Sequence, residues 1–177
     1  KGNYFLYANH TNAAADPFIP TMVAFPQKVY VIVHPANVSM PVLGRITPYL
    51  GALPLPDTLK ATENFLSALD LRVKQNHAIC IYPEAHIWPY YTGIRNFKDT
   101  SFRYPVQYGS PVFAFTNTYH KRKFFKKPKI VTYVDGPFYP DKTLPAKEAK
   151  RKLRDEVYAA MVARSKLSDT DYIVYLP

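Results

Sequence analysis

The chain has 177 residues, enough for one domain with a sizeable core. Apolar residues make up 47% and charged residues 20%, which excludes a disordered or low-complexity chain. The net charge of +10 calls for an anionic partner or surface. One cysteine excludes a disulfide framework, and the lack of any 18-residue apolar run excludes a bilayer-spanning helix.

In chain order, the apolar run Tyr4–Ala8 predicts a strand, followed by a loop over Asn9–Ala15. A residue before proline avoids helical backbone, and proline is accommodated at the first helical position, so Asp16-Pro17 predicts a short helix from Pro17. Val29–Val33 is β-branched and aromatic throughout, a buried strand. Ser39 caps a helix expected over Met40–Leu50, shortened by Pro41 and Pro48. A short strand over Ala52–Leu55 precedes a helix capped by Thr58. Its buried face would carry Leu59, Phe65 or Leu66, Leu69 and Val73, and Asn76-His77 would close it.

Strand Ala78–Tyr82 encloses Cys80, which reads as a buried, reduced thiol and not a nucleophile. Pro83–Tyr104 is a long connection, a length that points to function. Strands Val112–Thr116 and Ile130–Val134 follow. A last amphipathic helix from Ala146 to Lys166 buries Leu153, Val157 and Met161, and Asp169–Pro177 forms a tail. The alternation predicts a single α/β domain over residues 1–177. Its central sheet, mostly parallel or mixed, is flanked by helices, and loops at the strand ends carry the chemistry.

The first such loop holds His10 and Asp16. Histidine is readily poised as a base near neutral pH, and a carboxylate on its other ring nitrogen fixes the tautomer. On a straight helix these positions lie about 240° apart, so pairing requires irregular backbone between them. The same residues also read as an N-cap aspartate and a hydrogen-bonded loop histidine. From this stretch alone both readings stand.

Further fragments follow in order: Leu43-Gly44, Gly51-Ala52-Leu53-Pro54-Leu55, Tyr82-Pro83-Glu84, the segment from Phe97 to Arg103, and Gly109-Ser110-Pro111-Val112. With Asn9-His10 and Asp16, this series resembles the blocks of the glycerolipid acyltransferase family, whose type member acylates 1-acylglycerol-3-phosphate. The family pattern has four residues between His and Asp where this chain has five. The third block, Glu-Gly-Thr-Arg in the family, reads Glu84-Ala85-His86-Ile87, and Pro56-Asp57 stand where the second block carries arginine.

The resemblance implies acyl transfer from acyl-CoA or acyl-carrier protein, without a cofactor, to the hydroxyl of a lysophospholipid or glycerol phosphate. His10 would act as general base, with Asp16 orienting it. Asn9 or a backbone N–H at the Pro83–Ala85 turn would serve the oxyanion. Glu84 is carried over as a substrate-side residue; His86 reads as an acceptor contact, a proton carrier or a polar loop residue, and Pro111 as a substrate contact or, more simply, as shaping a strand start. Lys98 and Arg103 would hold a phosphate, with Arg95 replacing the missing arginine. The protein is expected at the cytoplasmic face of a membrane, peripheral or held by a segment ahead of Lys1.

From Tyr119 to Arg154 twelve basic residues stand against three acidic ones, interleaved with Phe124-Phe125, which points to an anionic membrane surface or an acidic ligand. Two other readings compete. His10, Asp16, Glu84 and His86 have the residue types of a zinc hydrolase, without a compact ligand signature. The basic stretch also suits a non-enzymatic module that binds a polyanion; the leading reading has no nucleic-acid partner. The aromatic run Trp88-Pro89-Tyr90-Tyr91 reads as a substrate groove or, more simply, as local packing.

Overall fold

The computed structural model describes residues 2–12, 15–16, 18–35 and 51–176. The helix expected over Met40–Leu50 and its Ser39 cap lie outside the described residues, as does Pro17. The elements are β1 (Tyr4–Ala8), α1 (Ile19–Ala24), β2 (Val29–Val33), β3 (Ala52–Pro54), α2 (Leu59–Lys74) and β4 (Ala78–Ile81). After a short 3₁₀ turn at Thr100–Phe102 come α3 (Arg103–Tyr108), β5 (Val112–His120), β6 (Lys129–Phe138) and α4 (Ala146–Ser165).

The six strands form one sheet in the order β3-β2-β4-β1-β5-β6, parallel except for β6, which runs antiparallel to β5. This is the mixed α/β sheet that the alternation of runs predicts. β1 lies between β4 and β5, with Phe5 opposite Ile79 on one side and Val112 on the other. A bulge between Val112 and Ala114 bends the β5–β6 ladder. Gly136, at φ +124°, faces it, and a Cβ there would stand 2.9 Å from the Val112 carbonyl oxygen.

Side-chain alternation along the strands divides the core. Phe5, Tyr7, Ile79, Ile81, Val112 and Ala114 face α2, α3 and α4 and form the larger cluster. Leu6, Ala8, Val29, Ala78, Cys80 and Phe115 face the other way, where Ile19 and Ala24 of α1 pack on them. Leu153, Val157 and Met161 of α4 are fully buried, as their spacing predicts. Each such burial contributes about 1.5–3 kcal/mol, against ~0.2–0.5 kcal/mol for an exposed ion pair one turn apart. Apolar contact therefore seats this helix, and its many surface charges do not.

Thr58 caps α2 as expected, accepting the Ala61 N–H at 3.1 Å. Phe65, Leu69 and Val73 form the buried face, whereas Leu59, the first helical residue, is exposed. β5 and β6 run several residues beyond their expected ends. β5 adds Asn117–His120, polar apart from Tyr119, and β6 adds Lys129 at its start and Asp135–Phe138 at its end, where Gly136 and Pro137 break the apolar signature of a strand. Cys80 is buried, and its desolvation pushes the thiol far above its usual range. Among the described residues no helix is long and apolar enough to cross a membrane.

Candidate active site

The parallel strands β1, β4 and β5 end along one edge of the sheet, and the loop after β1 turns over it. His10 Nδ1 lies 2.8 Å from Asp16 Oδ2. The same oxygen accepts the N–H of Thr11 at 3.1 Å and of Asn12 at 2.9 Å. Between the pair the chain makes a turn: the Asp16 N–H donates to the Asn12 carbonyl, and the Ala15 N–H to Asn12 Oδ1. The backbone thus curls around one carboxylate oxygen. This is how residues six apart meet despite pointing to different sides of a regular helix.

Asp16 is 1% exposed, while the His10 side chain is 25% exposed. The pair is a buried carboxylate behind an accessible imidazole. Three donors on Oδ2 offset the cost of removing that charge from water. His10 Nε2 has no hydrogen-bond partner among the described residues, so it is free to exchange a proton. The ring packs against Tyr82, with centroids 4.5 Å apart and planes tilted by 30°. The Tyr82 hydroxyl donates to the Asp16 carbonyl at 2.6 Å, and burial raises its pKa far beyond that of a free phenol.

Glu84, at the end of β4, is buried with both oxygens engaged. Oε2 accepts the His10 N–H and an Arg95 guanidinium N–H, each at 3.1 Å; Oε1 accepts the Arg95 backbone N–H at 2.9 Å. Glu84 therefore positions the backbone of His10. Arg95 also donates to the His86 carbonyl and lies 4.9 Å from the Trp88 ring centroid. Its guanidinium is the counterion of Glu84, engaged through Nη2 inside the protein.

Ala85, between Glu84 and His86, holds φ +65°, a left-handed conformation where the family pattern carries glycine. Breaking a buried ion pair leaves an uncompensated charge, at a cost of ~3–5 kcal/mol. Arg95→Ala is accordingly expected to lower the melting temperature by roughly 10 °C, given ~2–4 °C per kcal/mol for a domain of this size. Thermal denaturation followed by circular dichroism checks this.

Several of the expected substrate-side groups are engaged within the protein or lie apart from His10. Asn9 is buried, its amide tied to the Asn117 backbone at 3.0 and 2.8 Å, so it joins β1 to β5 instead of facing an oxyanion. The Ala85 N–H is likewise taken, by the Tyr82 carbonyl. The Pro111 carbonyl accepts the Phe5 N–H at 2.9 Å. It sits at the opposite end of β1 from His10, about 17 Å away at ~3.3 Å per strand residue, because a β5 parallel to β1 starts where β1 starts. Lys98, Arg103 and the His86 side chain are exposed, and among the described residues none is bonded to His10, Asp16 or Glu84.

The four residues of the zinc-hydrolase reading do not form a ligand set. The Glu84 carboxylate is held by Arg95, His86 is exposed, and no three metal-ligating side chains converge among the described residues.

Thr11 and Tyr119, which carried no sequence signal, complete the site together with the aromatic run. The Tyr119 hydroxyl bonds Thr11 at Oγ1 (2.8 Å) and at the carbonyl (3.1 Å). The Trp88 and Tyr90 N–H groups donate to the carbonyls of His10 and Thr11. The expected tail straps this loop: the Tyr175 ring stacks on Trp88 at 4.9 Å, Tyr172 meets Tyr90, and Thr92 donates to Asp171. The aromatic run is thus packing.

No family model matches the chain, and no curated protein matches it. Among solved structures it is similar to the 1-acyl-sn-glycerophosphate (LPA) acyltransferase PlsC from Thermotoga maritima, with a TM-score of 0.66 and 18% identity, covering 96% of this chain and 69% of that one. The chain shares the α/β fold of that acyltransferase.

Proposed function

We propose that the protein is an acyltransferase that moves a fatty acyl group from a thioester, acyl-CoA or acyl-carrier protein, to the free hydroxyl of a lysophospholipid such as 1-acylglycerol-3-phosphate. The observation that carries this reading is the 2.8 Å contact between accessible His10 and buried Asp16 at the edge of the sheet. The fold shared with PlsC supports it. Asp16 holds the Nδ1 proton, leaving Nε2 to accept the proton of the acceptor hydroxyl as its oxygen attacks the thioester carbonyl. The new C–O bond forms, the C–S bond breaks, and the departing sulfur takes the proton back from Nε2. The thioester is already activated, so no covalent enzyme intermediate is needed. Buried Cys80 offers none.

Of the expected phosphate-binding residues, the exposed Lys98 and Arg103 are the ones this reading retains. Acceptor and product are membrane lipids, and the thioester donors are cytoplasmic. The reaction is therefore assigned to the cytoplasmic face of a membrane.

The test is to mix the protein with a long-chain acyl-CoA and follow free thiol with a chromogenic reagent; Cys80, being buried, adds no background. Thiol release should rise in proportion to added 1-acylglycerol-3-phosphate and fall to a low baseline without it. Release that ignores the acceptor would identify a thioesterase instead, and no release from either donor would end the reading.

A further inference from the structure

The basic stretch from Tyr119 to Arg154 resolves into two different surfaces. On α4 and beside it three of the stretch's six cations are paired, Lys150 with Asp99 at 3.3 Å, Lys152 with Asp141 at 2.7 Å and Arg154 with Asp155 at 2.9 Å, while Lys142, Lys147 and Arg151 are in no ion pair among the described residues. The β5–β6 hairpin differs. Residues 121–127 at its tip are all exposed, with Phe124 at 81% and Phe125 at 67%. Among the described residues no carboxylate pairs with the side chains of Lys121, Arg122, Lys123, Lys126, Lys127 or Lys129.

We propose that this hairpin tip docks the protein on an anionic lipid surface, its cations at the headgroups and Phe124 and Phe125 at the boundary with the acyl chains. A merely solubilising turn has no use for two adjacent exposed phenylalanines, whereas an interfacial anchor combines apolar rings with basic side chains. The Arg122 guanidinium lies over Phe125 at 5.6 Å and the Lys123 ammonium over Phe124 at 5.3 Å, so each ring is joined to a cation, the pairing of apolar and basic groups that an anionic lipid interface takes. The tip begins two residues past Tyr119, whose hydroxyl holds Thr11 beside His10. Docking there brings the lipid surface to the edge of the sheet where the imidazole lies. The benefit of that placement rests on the acyltransferase reading; the docking itself does not.

The experiment is co-sedimentation of the whole chain with phosphatidylcholine vesicles and with vesicles of equal parts phosphatidylcholine and phosphatidylglycerol. Wild type should bind the mixed vesicles and leave the neutral ones largely unoccupied. Lys126→Ala/Lys127→Ala should weaken that partition about thirtyfold, at ~1 kcal/mol per cation removed. Phe124→Ser/Phe125→Ser should abolish the binding that survives high salt. All four positions are exposed, so the variants fold, and their transfer between water-soluble short-chain substrates should be unchanged. Variants that bind mixed vesicles like wild type would overturn the proposal, and so would a wild-type preference for single-stranded RNA over those vesicles. Hairpin-dependent vesicle binding without any acyl transfer would sustain the docking and defeat the enzymatic reading alone.

Discussion

His10→Ala is expected to reduce acceptor-dependent thiol release about 10²–10⁴-fold, the usual contribution of a positioned general base. The expectation follows from geometry. His10 presents an accessible ring with one nitrogen fixed by Asp16 and the other free. Of the described groups that pack on the ring or its loop, Glu84 is held by Arg95 and the Tyr82 hydroxyl donates to the Asp16 carbonyl, so neither is placed to take the proton. The ring is a quarter exposed and makes a single side-chain hydrogen bond, so alanine should leave the melting temperature within a few degrees of wild type, at ~2–4 °C per kcal/mol. Steady-state rates over a range of acceptor concentrations, alongside thermal denaturation, separate chemistry from folding. A variant that keeps near wild-type turnover would show that His10 is a loop residue and no more.

Asp16→Asn is expected to cost ~10²–10⁴-fold as well, by a different route. An asparagine oxygen in the place of Oδ2 can still accept from the His10 ring and from the N–H groups of Thr11 and Asn12. The charge that stabilises an imidazolium during proton transfer is lost. The flipped amide would present N–H to a ring nitrogen that must itself donate, favouring the wrong tautomer. The loss should fall on kcat with little change in KM, because Asp16 is buried behind the histidine and touches no substrate. A variant with normal kcat would reduce Asp16 to a structural turn residue.

Much of the fold was legible in the chain. Tyr4–Ala8 and Val29–Val33 stand as strands over the residues their apolar runs mark out, and Leu153, Val157 and Met161 are buried at helical spacing. These succeed because burial alone dictates them. The extended end of β5 was not legible, since Asn117–His120 is mostly polar and is ordered by pairing and by Asn9 and Thr11, nor was that of β6, where Gly136 and Pro137 read as a strand end.

The site divides the same way. That His10 and Asp16 meet could be posed from spacing, but the turn that joins them depends on which backbone N–H groups find Oδ2. Glu84 and Arg95 were singled out, yet residue type does not say whether a carboxylate and a guanidinium face a ligand or each other. Pro111 stands at the start of β5, its strand-start reading, and a motif in the right order does not by itself reveal at which end of a parallel strand it falls.

The position of β1 has a consequence for how the molecule comes together. Its two neighbours are β4 and β5, so Phe5 must wait for Ile79 and Val112, the latter more than a hundred residues downstream. Such distant parallel pairing is slow to form, and until it does the first apolar run has no permanent neighbour. During synthesis the imidazole–carboxylate loop would therefore be made before the strands that seat it, and an unpaired β1 is open to capture by a chaperone or by another copy of the nascent chain.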